Sequence, residues 1–259
     1  MRPLISIFTT RTFNIRTFNT RTISTSIFST LFLLFLISPP LLASEIPLPL
    51  ALLPYQASYT ATYNGMPIEA QRKLLKLEQG YRLETSARNF LGNMRETEQL
   101  HLDAEGRIRI DGYRSKRSFF GSKREAKLVI DHQLNKATYT RKKKRREIAL
   151  QPDVLGPISY QLQLRRDLAQ PDSTLKYTVI SHGKLKNYQF ERLGNEMITT
   201  GLGDISALKI RRVRDNKERE TLFWMAEEFA YLPVKVWQRE EDGESYEMTL
   251  KSLVLEDRE

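Results

Sequence analysis

In the stretch Tyr55-Gln56-Ala57-Ser58-Tyr59-Thr60-Ala61-Thr62-Tyr63-Asn64-Gly65, tyrosine and alanine alternate with small polar residues. A period of two puts the first set on one face of an extended chain, so the stretch reads as a half-buried β-strand. Asn64-Gly65 then supplies the positive φ angles that a tight hairpin turn requires.

The same grammar continues outward. Gln79-Gly80, Leu91-Gly92-Asn93, Glu105-Gly106, His182-Gly183, Gly194-Asn195 and Asp242-Gly243 each stand between two short runs suited to strands. Within those runs Leu100 and Leu102, Ile108 and Ile110, Leu128 and Ile130, Leu208 and Ile210, and Val234 and Val236 sit two apart, with charged or polar residues between or around them. One segment departs from this rhythm. Over residues 153–168, Leu155, Ile158, Tyr160, Leu162, Leu164 and Leu168 recur at helical spacing, Asp153 or Gly156 can begin a helix, and Pro171 stops it. The expected fold is therefore mainly β: a large curved antiparallel sheet or incomplete β barrel of about a dozen strands, with one helix near 155–168. Curvature is expected because a flat open sheet of that size would leave two long edges free to pair with other chains. The helix would either divide the sheet into halves or plug one end of it.

Residues 1–43 read as an address. They carry Arg2, Arg11, Arg16 and Arg21 and no acid, then an apolar run ending at Pro39-Pro40 and the sequence Leu41-Leu42-Ala43. This is the layout of a secretory signal peptide cleaved after Ala43, and the prolines leave the apolar run short of a membrane span. Residues 44–54, with three prolines, form an extended lead-in, and 55–255 form a single β-rich domain. The formal charge of the whole chain is +10, and without the leader it is +6. Such a surface favours anionic partners. The chain has no cysteine, which excludes disulfides, thiolate metal sites and thiol nucleophiles.

Catalytic signatures are missing. His101, His132 and His182 stand far apart, with no paired ligand spacing, so no metal site is expected. There is no Gly-x-Ser-x-Gly or Ser-x-x-Lys, and Gly201-Leu202-Gly203-Asp204 lacks the third glycine and the Lys-Ser/Thr of a phosphate loop, so it reads as a turn. No catalytic residue and no cofactor are expected. Two features point to binding instead. Trp224, Tyr231 and Trp237 are large aromatics able to line an apolar site, and Arg117, Phe119 and Phe120 belong to a basic group that also contains Arg114, Lys116, Lys123 and Arg124. The run Arg141-Lys142-Lys143-Lys144-Arg145-Arg146 suits either anionic headgroups or a solvated hairpin tip. Export removes genomic nucleic acid from the expected partners.

Several stretches together resemble the bacterial exported family catalogued as domain of unknown function 3108. They are Tyr59 to Gly65, Leu155-Gly156-Pro157-Ile158-Ser159-Tyr160-Gln161-Leu162, Gly201-Leu202-Gly203-Asp204, Leu222-Phe223-Trp224-Met225-Ala226, Tyr231-Leu232-Pro233-Val234-Lys235-Val236 and Asp242-Gly243-Glu244-Ser245-Tyr246. The resemblance implies export and a β-rich fold and supplies no catalytic residue. The sequence thus leads to an expected periplasmic, non-enzymatic protein that binds an apolar or amphipathic lipid-like ligand or an anionic envelope component. The alternatives are a hydrolase of cell-wall or envelope polymers and an assembly factor recognised through a sheet edge.

Overall fold

The computed structural model describes residues 52–255. The leader expected over 1–43 lies outside them. The strands are β1 (Tyr55–Tyr63), β2 (Met66–Lys76), β3 (Tyr81–Asn89), β4 (Gly92–Leu102), β5 (Ile108–Phe119), β6 (Ser122–Asp131), β7 (Lys136–Arg141) and β8 (Lys144–Ala149). Helix α1 (Tyr160–Leu168) follows, and then β9 (Lys176–Ser181), β10 (Lys184–Thr200), β11 (Gly203–Val213), β12 (Glu220–Ala226), β13 (Leu232–Arg239) and β14 (Ser245–Leu255). All are hydrogen-bonded into one 14-stranded sheet in the order β8-β7-β6-β5-β4-β3-β2-β1-β14-β13-β12-β11-β10-β9. The first and last strands pair at its centre, from Tyr55 opposite Leu255 to Tyr63 opposite Tyr246.

The sheet is open in its hydrogen bonding, yet its two edges share a core. Ile110, Leu128, Ala137, Tyr139 and Ile148 of β5 to β8 pack with Ile180 of β9, and Leu185 of β10 joins them. That contact is what curls the sheet around an interior. The edges are guarded differently. Leu155 forms a parallel bridge to Val179, its N–H donating to the Thr178 carbonyl at 2.9 Å, so β9 is partly covered. β8 carries Lys144, Arg145 and Arg146, cations that discourage another strand from adding there.

Connections alternate between two ends of the sheet. At one, the helix end, lie the turns at 77–80, 103–107 and 227–231. The helix closes it: Arg166 donates to the Gly106 carbonyl at 2.7 Å, and Arg165 donates to the Ala230 carbonyl at 3.0 Å. These carbonyls belong to turns on opposite wings. Leu162, Leu164 and Leu168 meanwhile enter the main core with residues of both wings. The helix therefore plugs one end and does not divide the sheet. A cleft of only about 20 Å³ remains there, between Leu52, Leu74, Leu162 and Arg165.

Two expectations are corrected. The helix begins at Tyr160, because Ile158 and Ser159 spend their N–H groups on Glu98 Oε2 (3.0 and 3.3 Å) and Leu155 pairs with β9. Gly194-Asn195 is no hairpin turn. It is a β-bulge inside the 17-residue β10, where the register against β11 shifts between Arg192 and Gly194. An inserted residue with Gly at positive φ bends a long strand without ending it.

A cationic cavity under the helix N-terminus

The segment 155–159 is clamped from within the curl by two buried charged groups. Arg72 of β2 donates from Nε to the Tyr55 hydroxyl at 3.0 Å, from Nη2 to the Ile158 carbonyl at 3.3 Å and from Nη1 to Gln161 Oε1. Glu98 of β4 is fully buried, and its Oε1 has no hydrogen-bond partner. Burial pushes its carboxyl up to about 7, against the restraining effect of the N–H groups it accepts and of Arg72. Gly156 lies flat on that carboxylate: a Cβ there would sit 2.0 Å from Oε1, so the position admits only glycine while Glu98 keeps its place.

On the far side of this clamp the curl is hollow. A cavity of about 280 Å³ is lined by Glu96, Tyr113, Ser115 and Arg117, by Arg124, Glu125, Tyr139 and Arg141, and by Pro157, Tyr160, Ser181, His182 and Tyr188. The strand positions that contribute to it lie toward the distal end, opposite the helix plug, where the turns at 90–91, 120–121, 142–143 and 182–183 gather. Its walls come from both edges of the sheet. The turn at 182–183 seats against β7, since Gly183 at φ +73° places its missing Cβ 2.6 Å from the Tyr139 ring. Tyr160 and Tyr188 meet edge to face with centroids 5.2 Å apart.

The electrostatics of the lining are unequal. Glu96 accepts from the Tyr113 hydroxyl at 2.8 Å and from Arg117 at 3.0 Å, and Glu125 is paired to Arg114 at 2.8 Å. Both carboxylates are thus already neutralised. Among the described residues, Arg124 and Arg141 make no ion pair, so two guanidinium groups face the cavity uncompensated. Burial, followed by Lys186, Arg117 and Arg141, holds His182 below its ordinary value, which keeps it neutral near pH 7. Burial and Glu96 raise the Tyr113 hydroxyl, so it stays a donor. The site can bind an anion and hydrogen-bond it. No group of three or more His, Cys, Asp or Glu able to hold a metal stands among the described residues.

Of the six residues singled out by sequence, Arg117 lines this cavity. Phe119 and Phe120 project from the β5–β6 hairpin tip, 52% and 73% exposed. Trp224 points to the outer side of β12 yet is buried in the main core, 6% exposed, its Nε1 donating to Glu196 at 2.7 Å while the Lys209 and Lys235 ammonium groups stand 5.2 and 5.3 Å from its ring centre. Trp237 shares that outer face, and Tyr231 sits in the turn at the helix end at φ +56°. Sequence reasoning passed over Tyr139, Tyr160 and Tyr188, which it could read only as strand or helix core. It also gave Arg124 and Arg141 no role in a common site. Their meeting depends on β9 and β10 folding back beside β7.

A family profile described as protein of unknown function (DUF3108) matches residues 58–251. No curated protein matches the chain. Among solved structures, a beta-barrel-like protein of domain of unknown function DUF1849 from Brucella abortus superposes with a TM-score of 0.53 at 11% identity, covering 80% of this chain and 99% of that one. A Bacteroides fragilis protein described as a "putative exported protein with YmcC-like fold" gives a TM-score of 0.27 at 9% identity, covering 77% of this chain and 95% of that one. The Brucella protein shares the barrel-like fold with this chain.

Proposed function

The chain belongs to the DUF3108 family of unknown function, and from that premise we propose that it is an exported, non-enzymatic protein that holds the anionic headgroup of an amphipathic envelope molecule. The observation that carries this reading is the pair of unpaired guanidinium groups, Arg124 and Arg141, at the wall of a cavity that tyrosine rings also line. Charge-assisted hydrogen bonds from arginine recognise phosphate and carboxylate with fixed geometry. At about 280 Å³ the cavity falls just below the usual span of small-molecule sites, about 300 to 1,000 Å³. It takes a headgroup or one short acyl segment and leaves the rest of a lipid outside.

The test is native mass spectrometry of the chain incubated with short-chain phosphatidylglycerol and, separately, with phosphatidylcholine of the same chain length. The wild type is expected to retain the anionic lipid at one per chain. An Arg124→Glu/Arg141→Glu variant should bind it at least tenfold more weakly at unchanged melting temperature, since both residues are exposed and neither is ion-paired among the described residues. Equal retention of both lipids, or equal binding by the variant, would remove the headgroup reading.

A further inference from the structure

We infer that the β3–β4 and β5–β6 hairpin tips form a face that docks onto an anionic lipid bilayer. The inference does not depend on what fills the cavity. Phe90 is 82% exposed, Phe119 52% and Phe120 73%, and the backbone brings them together: the Phe120 N–H donates to the Leu91 carbonyl at 3.0 Å, and Gly92 pairs with Phe119. Phe119 and Phe120 rest edge to face with ring centroids 4.6 Å apart, forming an exposed apolar wedge. Isolated exposed apolar residues are ordinary, but three phenylalanines converging on two linked tips are not.

The charge around them selects the partner. Arg88, Arg114 and Arg117 are tied to Glu69, Glu125 and Glu96. Among the described residues Arg95, Lys116, Lys123 and Arg124 on the same two hairpins make no ion pair. The next tip along this end of the sheet adds Lys142 and Lys143 between Arg141 and Lys144. Across the end, the β13–β14 connection carries Glu240, Glu241, Asp242 and Glu244, with Glu240 tied to Arg219 of the neighbouring β11–β12 connection. Exposed aromatics that enter the headgroup layer beside lysine and arginine are the pattern of interfacial binding, and anionic lipid supplies the countercharge.

Because the chain contains no cysteine, a single introduced one can be labelled alone. An environment-sensitive fluorophore is placed on Phe120→Cys in the full chain and, as control, on Leu134→Cys, which is 71% exposed in the β6–β7 turn at the helix end. With vesicles containing phosphatidylglycerol the label at 120 is expected to shift to the blue while that at 134 stays hydrated, and vesicles of pure phosphatidylcholine leave both unchanged. Adding Lys116→Glu/Lys123→Glu should raise the lipid concentration needed for the shift at least tenfold. A label at 120 that stays hydrated on anionic vesicles, or one at 134 that shifts equally, would overturn the docking face. So would a shift at 120 that appears with rising protein concentration and no lipid, which would identify a second copy of the chain as the occupant. Lys116→Glu/Lys123→Glu, neither of which lines the cavity, retaining soluble short-chain lipid while losing the shift would separate this face from the cavity.

Discussion

A Leu164→Ala chain is expected to unfold with about 4 kcal/mol less stability than the wild type, at an unchanged denaturant m-value. Leu164 is 0% exposed on α1 and belongs to a core that draws on both wings of the sheet. Removing a buried leucine costs the transfer of its methyl groups and leaves a void that neighbours fill only partly, and such losses run from about 2 to 5 kcal/mol. The upper half of that range applies where collapse is hard. Here the helix is held at its end by Arg165 on the Ala230 carbonyl and Arg166 on the Gly106 carbonyl, so it cannot easily settle into the space. Equilibrium urea unfolding read by far-ultraviolet circular dichroism measures the loss. A value below about 1 kcal/mol would mean that α1 rests on the sheet without plugging it.

Glu98→Gln should flatten the pH dependence of stability, and above neutrality it should make the protein more stable. The folded carboxyl titrates at about 7, against 4.5 when unfolded, so between those values the folded chain binds a proton that the unfolded chain has released. The stability linked to that proton is fully present below pH 4.5 and is lost as the pH rises through 7. The amount is on the order of 3 kcal/mol. Arg72 is the charged group facing Glu98 and restrains the shift without cancelling it. Glutamine keeps the shape and can still accept from the Ile158 and Ser159 N–H groups, and it carries no charge to desolvate. Melting temperatures measured from pH 4.5 to 8.5 should therefore fall in the wild type and change less in the variant. Parallel curves would place the titration elsewhere.

The β character of the chain was readable because it is local. The alternation from Tyr55 to Tyr63, the turn at Asn64-Gly65 and the paired apolar residues of β4 and β5 each report on their own neighbours, and the structure has them as expected. Gly194 misled because glycine at positive φ serves a bulge as well as a turn, and only the partner strand distinguishes them. The early helix start misled for the same reason. Gly156, Pro157 and Ile158 satisfy helix-start rules, but Glu98, 60 residues away from Ile158, takes the N–H groups. The cavity was least legible. Arg124, Tyr139, Tyr160 and Tyr188 come from four separate elements whose meeting depends on how tightly the sheet curls, and no short-range pattern encodes curvature. The exposed Phe119-Phe120 pair was visible as a motif, whereas the place of Phe90 beside it follows from the β4–β5 register.

In the strand order, each neighbouring pair except β1 with β14 is also consecutive in the chain. Nearly every ladder can therefore zip as soon as its hairpin exists, with little loop entropy to overcome, which favours rapid formation of each wing. The exception spans almost the whole domain. Until the final residues are available, β1 presents an unsatisfied row of amides to any passing extended segment, so the interval before β14 arrives is when this protein is most open to misassembly.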